Sequence, residues 1–147
     1  PLKQIKNLDE TFLVMNGDIL TDLDYNALIQ YHKTKRGIAT IATYSRNVYI
    51  DFGVLQYDQT NKIQKFIEKP TYHFDVSMGV NVFEHEILDY VPSDSPFGFD
   101  NLMYALTKKN ESVYSYQHSG YWLDIGRPDD YSHAIEEFEK NKNKFLP

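Results

Sequence analysis

Short apolar runs separated by polar, turn-forming residues predict a mixed α/β fold for this chain. The run 11–15 (TFLVM) is too short for a helix and does not alternate, which indicates a buried strand. The run 38–44 (IATIATY) is rich in β-branched residues and predicts a second strand. Between them lies a helical pattern that Asp22 or Asp24 can cap and that Gly37 can stop. This order predicts a βαβ unit with parallel strands and a right-handed crossover.

Antiparallel elements and further helices are predicted after this unit. Segments 52–57 and 63–67 are joined by turn-forming residues, which indicates a β-hairpin that ends at Pro70. Pro128 suits the first turn of a final helix, whose apolar face would comprise Tyr131, Ala134, Ile135 and Phe138. The other predicted elements are a strand at 76–83, helices at 84–90 and 101–109, a strand at 113–116 and an aromatic loop or short strand at 120–126. No linker-like segment divides the chain, so we interpret it as one continuous domain.

Composition excludes several classes of protein. The 147 residues are 41% hydrophobic and 24% charged, as in a globular domain, and the net charge of −6 argues against a nucleic-acid partner. Cysteine is absent, which excludes disulfides and thiolate metal sites, and the five histidines lack zinc-binding spacing. No segment approaches the ~20 apolar residues of a membrane helix, so no membrane partner is expected. Because no signal peptide is visible either, we expect a cytoplasmic protein.

A carboxylate directly after the first predicted strand is the first candidate for chemistry. Open α/β sheets bind ligands at the carboxyl ends of their strands, where Asp18 would lie. Gly17 would leave room for a ligand to approach, and a carboxylate is a hard oxygen ligand that suits Mg²⁺. The pair Asn16-Gly17 is also common in tight turns, so a purely structural turn remains an alternative.

Two further segments carry charged residues in defined surroundings. Pro70 is expected to hold Lys69 in extended geometry, where the ammonium can neutralise a phosphate while Glu68 bridges sugar hydroxyls. Exposed charges before a proline are also common without any function. Asp124 is flanked by apolar residues, so we expect it to be partly buried with a cation or another partner. Trp122 next to it could belong to the core or form a ligand platform.

Together, these motifs resemble the sugar-1-phosphate nucleotidylyltransferases, in particular the mannose-1-phosphate guanylyltransferase-like members. The matching segments are NGD at 16–18, FGV at 52–54, FIEKP at 66–70, MGV at 78–80 and GYWLDIGRPDDY at 120–131. The family converts a nucleoside triphosphate and a sugar 1-phosphate into a nucleotide sugar and pyrophosphate. The resemblance implies an incomplete Rossmann-like sheet of mixed, mostly parallel strands with an antiparallel hairpin and flanking helices. Residues 1–147 would form the central and C-terminal part of that domain.

The resemblance also implies roles for individual residues. The implied catalytic residues are Asp18, Asp124 and Lys69, and the two aspartates would hold the catalytic Mg²⁺. The implied substrate-binding residues are Gly17, Gly53, Glu68, Lys69, Gly79 and Trp122. The partners would be the nucleoside triphosphate and the sugar 1-phosphate. A sheet without its first strands exposes an edge, so a homo-oligomer is also expected.

The chain departs from the family pattern in ways that leave alternatives open. It has no Gly-rich loop to hold a triphosphate, so we expect a fragment of a longer enzyme, without transferase activity of its own. Ser77 and Asn81 stand where the family often has Asn and an aromatic residue, and Arg127 replaces a small capping residue. One alternative is a non-catalytic sugar-phosphate-binding module. Another is a metal-dependent glycosyltransferase, for which Asp22-x-Asp24 has suitable spacing.

Overall fold

A computed structural model describes residues 2–93 and 95–146, which contain eight strands and four α-helices. The strands are β1 (Thr11–Met15), β2 (Ile19–Thr21), β3 (Ala39–Tyr49), β4 (Val54–Tyr57), β5 (Ile63–Ile67), β6 (Thr71–Glu84), β7 (Val113–His118) and β8 (Trp122–Asp124). The helices are α1 (Tyr25–Lys35), α2 (Phe99–Lys108), α3 (Pro128–Lys140) and α4 (Lys142–Phe145), with 3-10 helices at Leu2–Gln4 and His85–Tyr90. The predicted mixed α/β class is confirmed.

The chain divides into two compact units. Pro1–Tyr44 together with Ser77–Pro147 forms the first, here called the sheet unit. Ser45–Val76 forms the second, here called the hairpin unit. The chain passes from one unit to the other within β3 and returns within β6. In the described part of the chain, no helix has the length and apolar character needed to cross a membrane.

Strand β6 lies between the two strands of the predicted βαβ unit. The main sheet has the order β1-β6-β3-β7, with β1 antiparallel to β6 and β3 parallel to β7. Strands β2 and β8 form a separate antiparallel pair, and β4 and β5 form the predicted hairpin. The sheet is mixed, as predicted, but parallel pairing is less dominant than expected. Strand β6 enters it directly after the hairpin, without the helical crossover that parallel neighbours need.

The sheet unit buries apolar residues on both faces of its main sheet. One cluster comprises Phe12, Ala39, Ile41, Phe83, Ile87, Leu102 and Leu106. The other comprises Leu23, Leu28, Ala42, Met78, Val80 and Val82. Because successive residues of a strand point to opposite faces, β3 and β6 each contribute to both clusters. Burial on both faces explains why the apolar run of β3 does not alternate in sequence.

Helix α1 is capped by Asp24 at its first end and is ended by Arg36 at the other. Asp24 is the N-terminal cap, because its side chain accepts a hydrogen bond from the Ala27 amide at 3.0 Å. The predicted stop at Gly37 is wrong, since Arg36 is the residue that takes the left-handed conformation, with φ 54°. Gly37 is required for a different reason. A Cβ there would lie 2.4 Å from the carbonyl oxygen of Ser112, so only glycine allows this close approach.

Helix α3 begins at Pro128 as predicted, but its apolar face is only partly buried. Ala134 is buried, whereas Tyr131 and Ile135 are 61% and 48% exposed. The side chain of Phe138 stacks on Phe145 of α4, with 6.1 Å between the ring centroids. The apolar spacing therefore predicted the helix correctly and overestimated how much of it packs.

Candidate functional site

The pairing of β2 with β8 brings Asp18 and Asp124 to the same end of a strand pair. Ile19 is the register partner of Asp124, and Asp18 directly precedes Ile19. The amide of Ile125 donates a hydrogen bond to the carbonyl oxygen of Asp18 at 2.8 Å. The two aspartates are far apart in sequence, and this antiparallel pair brings them to one end of the ladder, where Asp124 is opposite Ile19 and Asp18 is opposite Ile125.

Both carboxylates of this pair are open to solvent. Asp18 is exposed, as its position beyond the end of β1 predicts, and Asp124 is exposed as well. The expectation that Asp124 is partly buried is wrong. Although Asp124 has apolar neighbours in sequence, it is the last residue of β8 and lies at the open end of the ladder. An exposed pair of acidic side chains is available to a cation that arrives with its own ligands.

The carboxylates of Asp18 and Asp124 suit a metal ion that takes most of its ligands from water and substrate. Among residues 2–93 and 95–146, no group of three or more His, Cys, Asp or Glu side chains could hold a metal ion. Mg²⁺ differs from structural metals, because it commonly uses one or two carboxylates and takes its other ligands from water and substrate phosphates. Asp18 and Asp124 match that pattern, and they do not match a preformed, fully protein-bound metal cage.

Trp122 belongs to the core of the sheet unit. Its ring lies against Tyr44, with 5.4 Å between the ring centroids, and its indole nitrogen donates a hydrogen bond to the Met78 carbonyl at 3.2 Å. It packs against the cluster that contains Leu28 and Val80. Through these contacts, Trp122 attaches β8 to the main sheet two residues before Asp124.

The two glycines of the sheet-unit candidates differ in what they permit. A Cβ at Gly17 would have no heavy atom within 4 Å, so the space beside Asn16-Gly17 is open. Gly17 does not have the positive φ that a type I′ Asn-Gly turn needs. Gly79 has a positive φ of 73°, and a Cβ there would lie 2.7 Å from the side-chain nitrogen Nδ2 of Asn16. The Asn16 backbone amide donates to the Gly79 carbonyl at 2.9 Å, so Gly79 fixes the strand end that precedes Asp18.

A cavity of about 290 Å³ lies beside this strand end within the sheet unit. Its polar lining comes from Asn16, Ser77 and Asn81, and its apolar lining includes Val14 and Phe83. The Asn81 side-chain oxygen is buried and has no hydrogen-bond partner among the described residues. The two departures from the family pattern, Ser77 and Asn81, therefore line one cavity that contains an unsatisfied hydrogen-bond acceptor.

The hairpin unit brings together its own candidate residues. Val54 of β4 is the register partner of Ile67 of β5, so Gly53 and Glu68 lie at the open end of that ladder. A Cβ at Gly53 would lie 2.5 Å from the Phe66 ring and 3.3 Å from a Glu68 carboxylate oxygen. A larger residue at position 53 would therefore clash with the Phe66 ring and crowd the Glu68 carboxylate.

Lys69 has a conformation that the sequence did not predict. The expectation of extended geometry before Pro70 is wrong, because Lys69 has φ 42°. The chain turns sharply between the ends of β5 and β6, and the Pro70 carbonyl accepts a hydrogen bond from the Ile50 amide at 3.0 Å. The Lys69 ammonium lies 3.0 Å from an Asp51 carboxylate oxygen, and both side chains are more than half exposed. Such an exposed pair contributes little to stability, so an incoming phosphate can compete for the ammonium.

Asp22 has a structural role that motif reasoning missed. Its Oδ1 accepts hydrogen bonds from the Tyr121 amide at 2.6 Å and from His118 Nε2 at 2.9 Å, while Lys144 Nζ lies 3.0 Å from Oδ2. Burial alone would raise the pKa of the Asp22 carboxyl. The hydrogen bonds from Lys144, Tyr121 and His118 and the charge of Lys144 outweigh that effect and lower the pKa below its ordinary value.

These contacts also bear on the Asp22-x-Asp24 alternative. Asp24 caps α1 and Asp22 is bonded to Tyr121, His118 and Lys144, so the two carboxylates serve different partners. The arrangement does not support the metal-binding motif of a glycosyltransferase. Gly120 is the sequence feature that belongs to the role of Asp22. Only the fold shows that the two residues lie against each other.

The mixed α/β fold and two exposed aspartates at one ladder end do not by themselves define an activity. The sequence profile of the Nucleotidyl transferase family matches residues 2–141, and the chain belongs to this family. The predicted resemblance is thereby confirmed over nearly the whole sequence.

Several relatives of the chain are sugar-1-phosphate nucleotidyltransferases. The chain is 34% identical over 134 residues to a UTP–glucose-1-phosphate uridylyltransferase of Synechocystis sp., covering 86% of this chain and 34% of that protein. It is 28% identical over 133 residues to a mannose-1-phosphate guanyltransferase of Debaryomyces hansenii, covering 88% of this chain and 36% of that protein. The chain thus spans about a third of the length of these curated relatives.

A solved structure shares the fold. The crystal structure of HddC from Yersinia pseudotuberculosis superposes with a TM-score of 0.61 at 25% identity, covering 92% of this chain and 58% of that one. The predicted Rossmann-like nucleotidyltransferase fold is confirmed.

Proposed function

We propose that this chain supplies the metal-binding and sugar-phosphate-binding parts of an enzyme that transfers a nucleotidyl group to a sugar 1-phosphate. Family membership and the activities of the relatives support this proposal. The observation that carries it is the β2–β8 pairing, which places Asp18 and Asp124 at one strand end. Within the described residues, neither Asp18 nor Asp124 forms an ion pair with a basic side chain. A structural ion pair therefore does not explain why two acidic residues lie at this position.

In this proposal the sheet unit provides the acidic residues of the reaction. Asp18 and Asp124 would hold a divalent cation such as Mg²⁺. When bound, such an ion would supply several kcal/mol of charge stabilisation, as divalent cations do in phosphoryl transfer. The open space beside Gly17 leaves room for the phosphates next to the carboxylates.

The hairpin unit provides the sugar-phosphate contacts. The Glu68 carboxylate accepts hydrogen bonds from sugar hydroxyls, and the Lys69 ammonium binds the phosphate in place of Asp51. Gly53 contributes backbone groups and keeps the space in front of Glu68 free of a side chain. The strained φ of Lys69 is consistent with a residue that is held for binding rather than for stability.

The reaction needs no protein nucleophile. An oxygen of the sugar phosphate attacks the α-phosphorus of the nucleoside triphosphate and forms a new P–O bond. The bond between the α-phosphorus and the bridging oxygen breaks, and pyrophosphate leaves. The protein aligns the two phosphates and offsets their charge, which is the main requirement of such transfers. Because the 147 residues contain no Gly-rich phosphate loop, we expect the chain alone to bind sugar phosphate without releasing pyrophosphate.

The test is pyrophosphate release by the complete gene product, with glucose 1-phosphate or mannose 1-phosphate and each nucleoside triphosphate. The variants Asp18→Asn and Asp124→Asn are each expected to lower kcat about 10²-fold or more, since each removes a ligand of the cation. Asp9→Asn is the matched control, because Asp9 is also exposed but lies away from the strand pair. Near-wild-type release from either site variant would contradict the metal assignment.

A second candidate is a non-catalytic module that binds sugar phosphate. The observation that favours it is the lack of a Gly-rich loop in a sequence that has Glu68 and Lys69. It predicts that the complete gene product binds a sugar 1-phosphate and releases no pyrophosphate with any nucleoside triphosphate. Turnover with one triphosphate would exclude it.

A further inference from the structure

Strand β8 carries Asp124, yet its ladder with β2 is only three residues long. Two-stranded antiparallel pairs are marginally stable by themselves in water. A slip of one residue would turn each side chain of β8 to the other face and change the position of Asp124 along β2. The register must therefore be fixed by contacts outside the ladder.

One end of the strand pair is closed by the backbone alone, and the other by backbone and side-chain groups together. At the first end, the Ile125 amide donates to the Asp18 carbonyl. At the other end, both backbone groups of Tyr121 are held. Its amide donates to Asp22 Oδ1 at 2.6 Å, and its carbonyl accepts from the Thr21 hydroxyl at 2.8 Å and from the Asp22 amide at 3.3 Å. Tyr121 directly precedes β8, so these bonds determine where that strand begins.

Asp22 is itself held in one position. Its side chain is 14% exposed and bonds to His118 and Lys144 as well as to Tyr121. A buried carboxylate without such partners would be costly, so it keeps them. A Cβ at Gly120 would lie 2.3 Å from Asp22 Oδ1, which means that glycine at position 120 makes the space for the carboxylate.

We propose that Asp22 is a positioning residue that sets the register of β8 on β2 and thereby places Asp124 at the same ladder end as Asp18. The inference rests on the proposed function for the assignment of Asp124 as a cation ligand. The hold of Asp22 on β8 can be tested independently of that assignment.

Trp122 gives a direct readout, because it is the single tryptophan of the sequence and lies in β8 itself. The variants are Asp22→Ala, Gly120→Ala and Asp22→Asn, with Asp24→Ala as a matched acidic control that affects only the cap of α1. Trp122 emission and its quenching by acrylamide are measured in the 147-residue chain, below the onset of unfolding followed by circular dichroism. Mn²⁺ affinity is measured on the same samples by electron paramagnetic resonance of the free ion.

Asp22→Ala and Gly120→Ala are expected to shift Trp122 emission to the red, to increase its quenching and to weaken Mn²⁺ binding about 10-fold or more. Asp22→Asn keeps an acceptor for the Tyr121 amide and is expected to stay close to wild type, as is Asp24→Ala. If Asp22→Ala fails to fold, Gly120→Ala still tests the same contact, and Asp22→Asn is its conservative control.

The outcomes separate this inference from the proposed function. Wild-type emission and wild-type Mn²⁺ affinity in Asp22→Ala or Gly120→Ala would overturn the role of Asp22, and the metal assignment would stand. If the wild-type chain binds no Mn²⁺ while both variants still shift Trp122 emission, the metal assignment fails. The hold of Asp22 on β8 is then supported.

Discussion

In the sheet unit, Asp18 and Asp124 are brought to one ladder end by strands from distant parts of the chain, whereas the hairpin unit presents Gly53, Glu68 and Lys69 at the open end of one local hairpin. The sheet unit buries apolar clusters on both faces of its sheet and holds the residue before β8 by a part-buried hydrogen bond to Asp22. In the hairpin unit, by contrast, Phe52 is 77% exposed and Phe66 is 60% exposed.

This difference separates stability from binding in the two regions. Residues of the sheet unit are expected to influence both the free energy of unfolding and the position of the carboxylates. Residues of the hairpin unit are expected to influence binding with little effect on stability, because few of their contacts are buried.

Truncation of a leucine side chain is expected to give the largest difference between the two units in the free energy of unfolding. Leu106→Ala is expected to lower the free energy of unfolding by about 2–5 kcal/mol, because Leu106 is fully buried between α2 and the sheet. Leu55→Ala in the hairpin unit removes the same atoms from a side chain that is 48% exposed, and it is expected to cost less than about 1 kcal/mol. Denaturant titration measures both values, and equal losses would contradict the comparison.

Removal of the Lys69 charge is expected to affect binding and not stability. Lys69→Met should weaken binding of mannose 1-phosphate or glucose 1-phosphate about 10-fold or more, since a charge-assisted contact to the phosphate is lost. Lys65→Met is the matched control, because Lys65 is an exposed lysine of the same hairpin. Calorimetry gives the affinities and thermal unfolding the stability. Equal affinities for the two variants would remove Lys69 from the site.

The smallest expected effect is a pH dependence of the hairpin turn. Hydrogen bonds from the Thr60 hydroxyl and amide, followed by those from Gln64 and Lys62, lower the pKa of Asp58 to about 2 from 3.8. A lowered pKa means that the turn is fully stabilised above the ordinary value and loses this contribution as the pH falls through about 2. The Thr60 amide signal in NMR spectra should follow that titration. In Asp58→Asn the transition should be absent, and its persistence there would assign it to another group.

Local patterns predicted the elements that depend on neighbouring residues. Strand β1, the β4–β5 hairpin and helix α3 follow from a short apolar run, turn chemistry and helical spacing, and the structure confirms them. The three residues of β2 have no such pattern, because their strand conformation depends on the partner β8. The same non-local pairing exposes Asp124, which its apolar neighbours in sequence could not indicate.

Local sequence patterns also did not predict the backbone conformation of residues in sharp connections. Arg36 and Lys69 adopt positive φ although neither is glycine, because the connections that follow α1 and β5 turn sharply. Gly37 and Gly120 are needed for close approach of distant residues, Ser112 and Asp22. Sequence spacing gives no information on such contacts until the fold is known.

The most direct test of the account is whether Asp18 and Asp124 share one cation. Mn²⁺ is added to the isotope-labelled chain, and the broadening of each backbone amide signal is measured by NMR. We predict that the signals around residue 18 and those around residue 124 broaden together, and that Asp18→Asn removes both effects. If Asp18→Asn leaves the broadening unchanged at both positions, the cation does not depend on Asp18, the two aspartates do not share it, and the central claim is wrong.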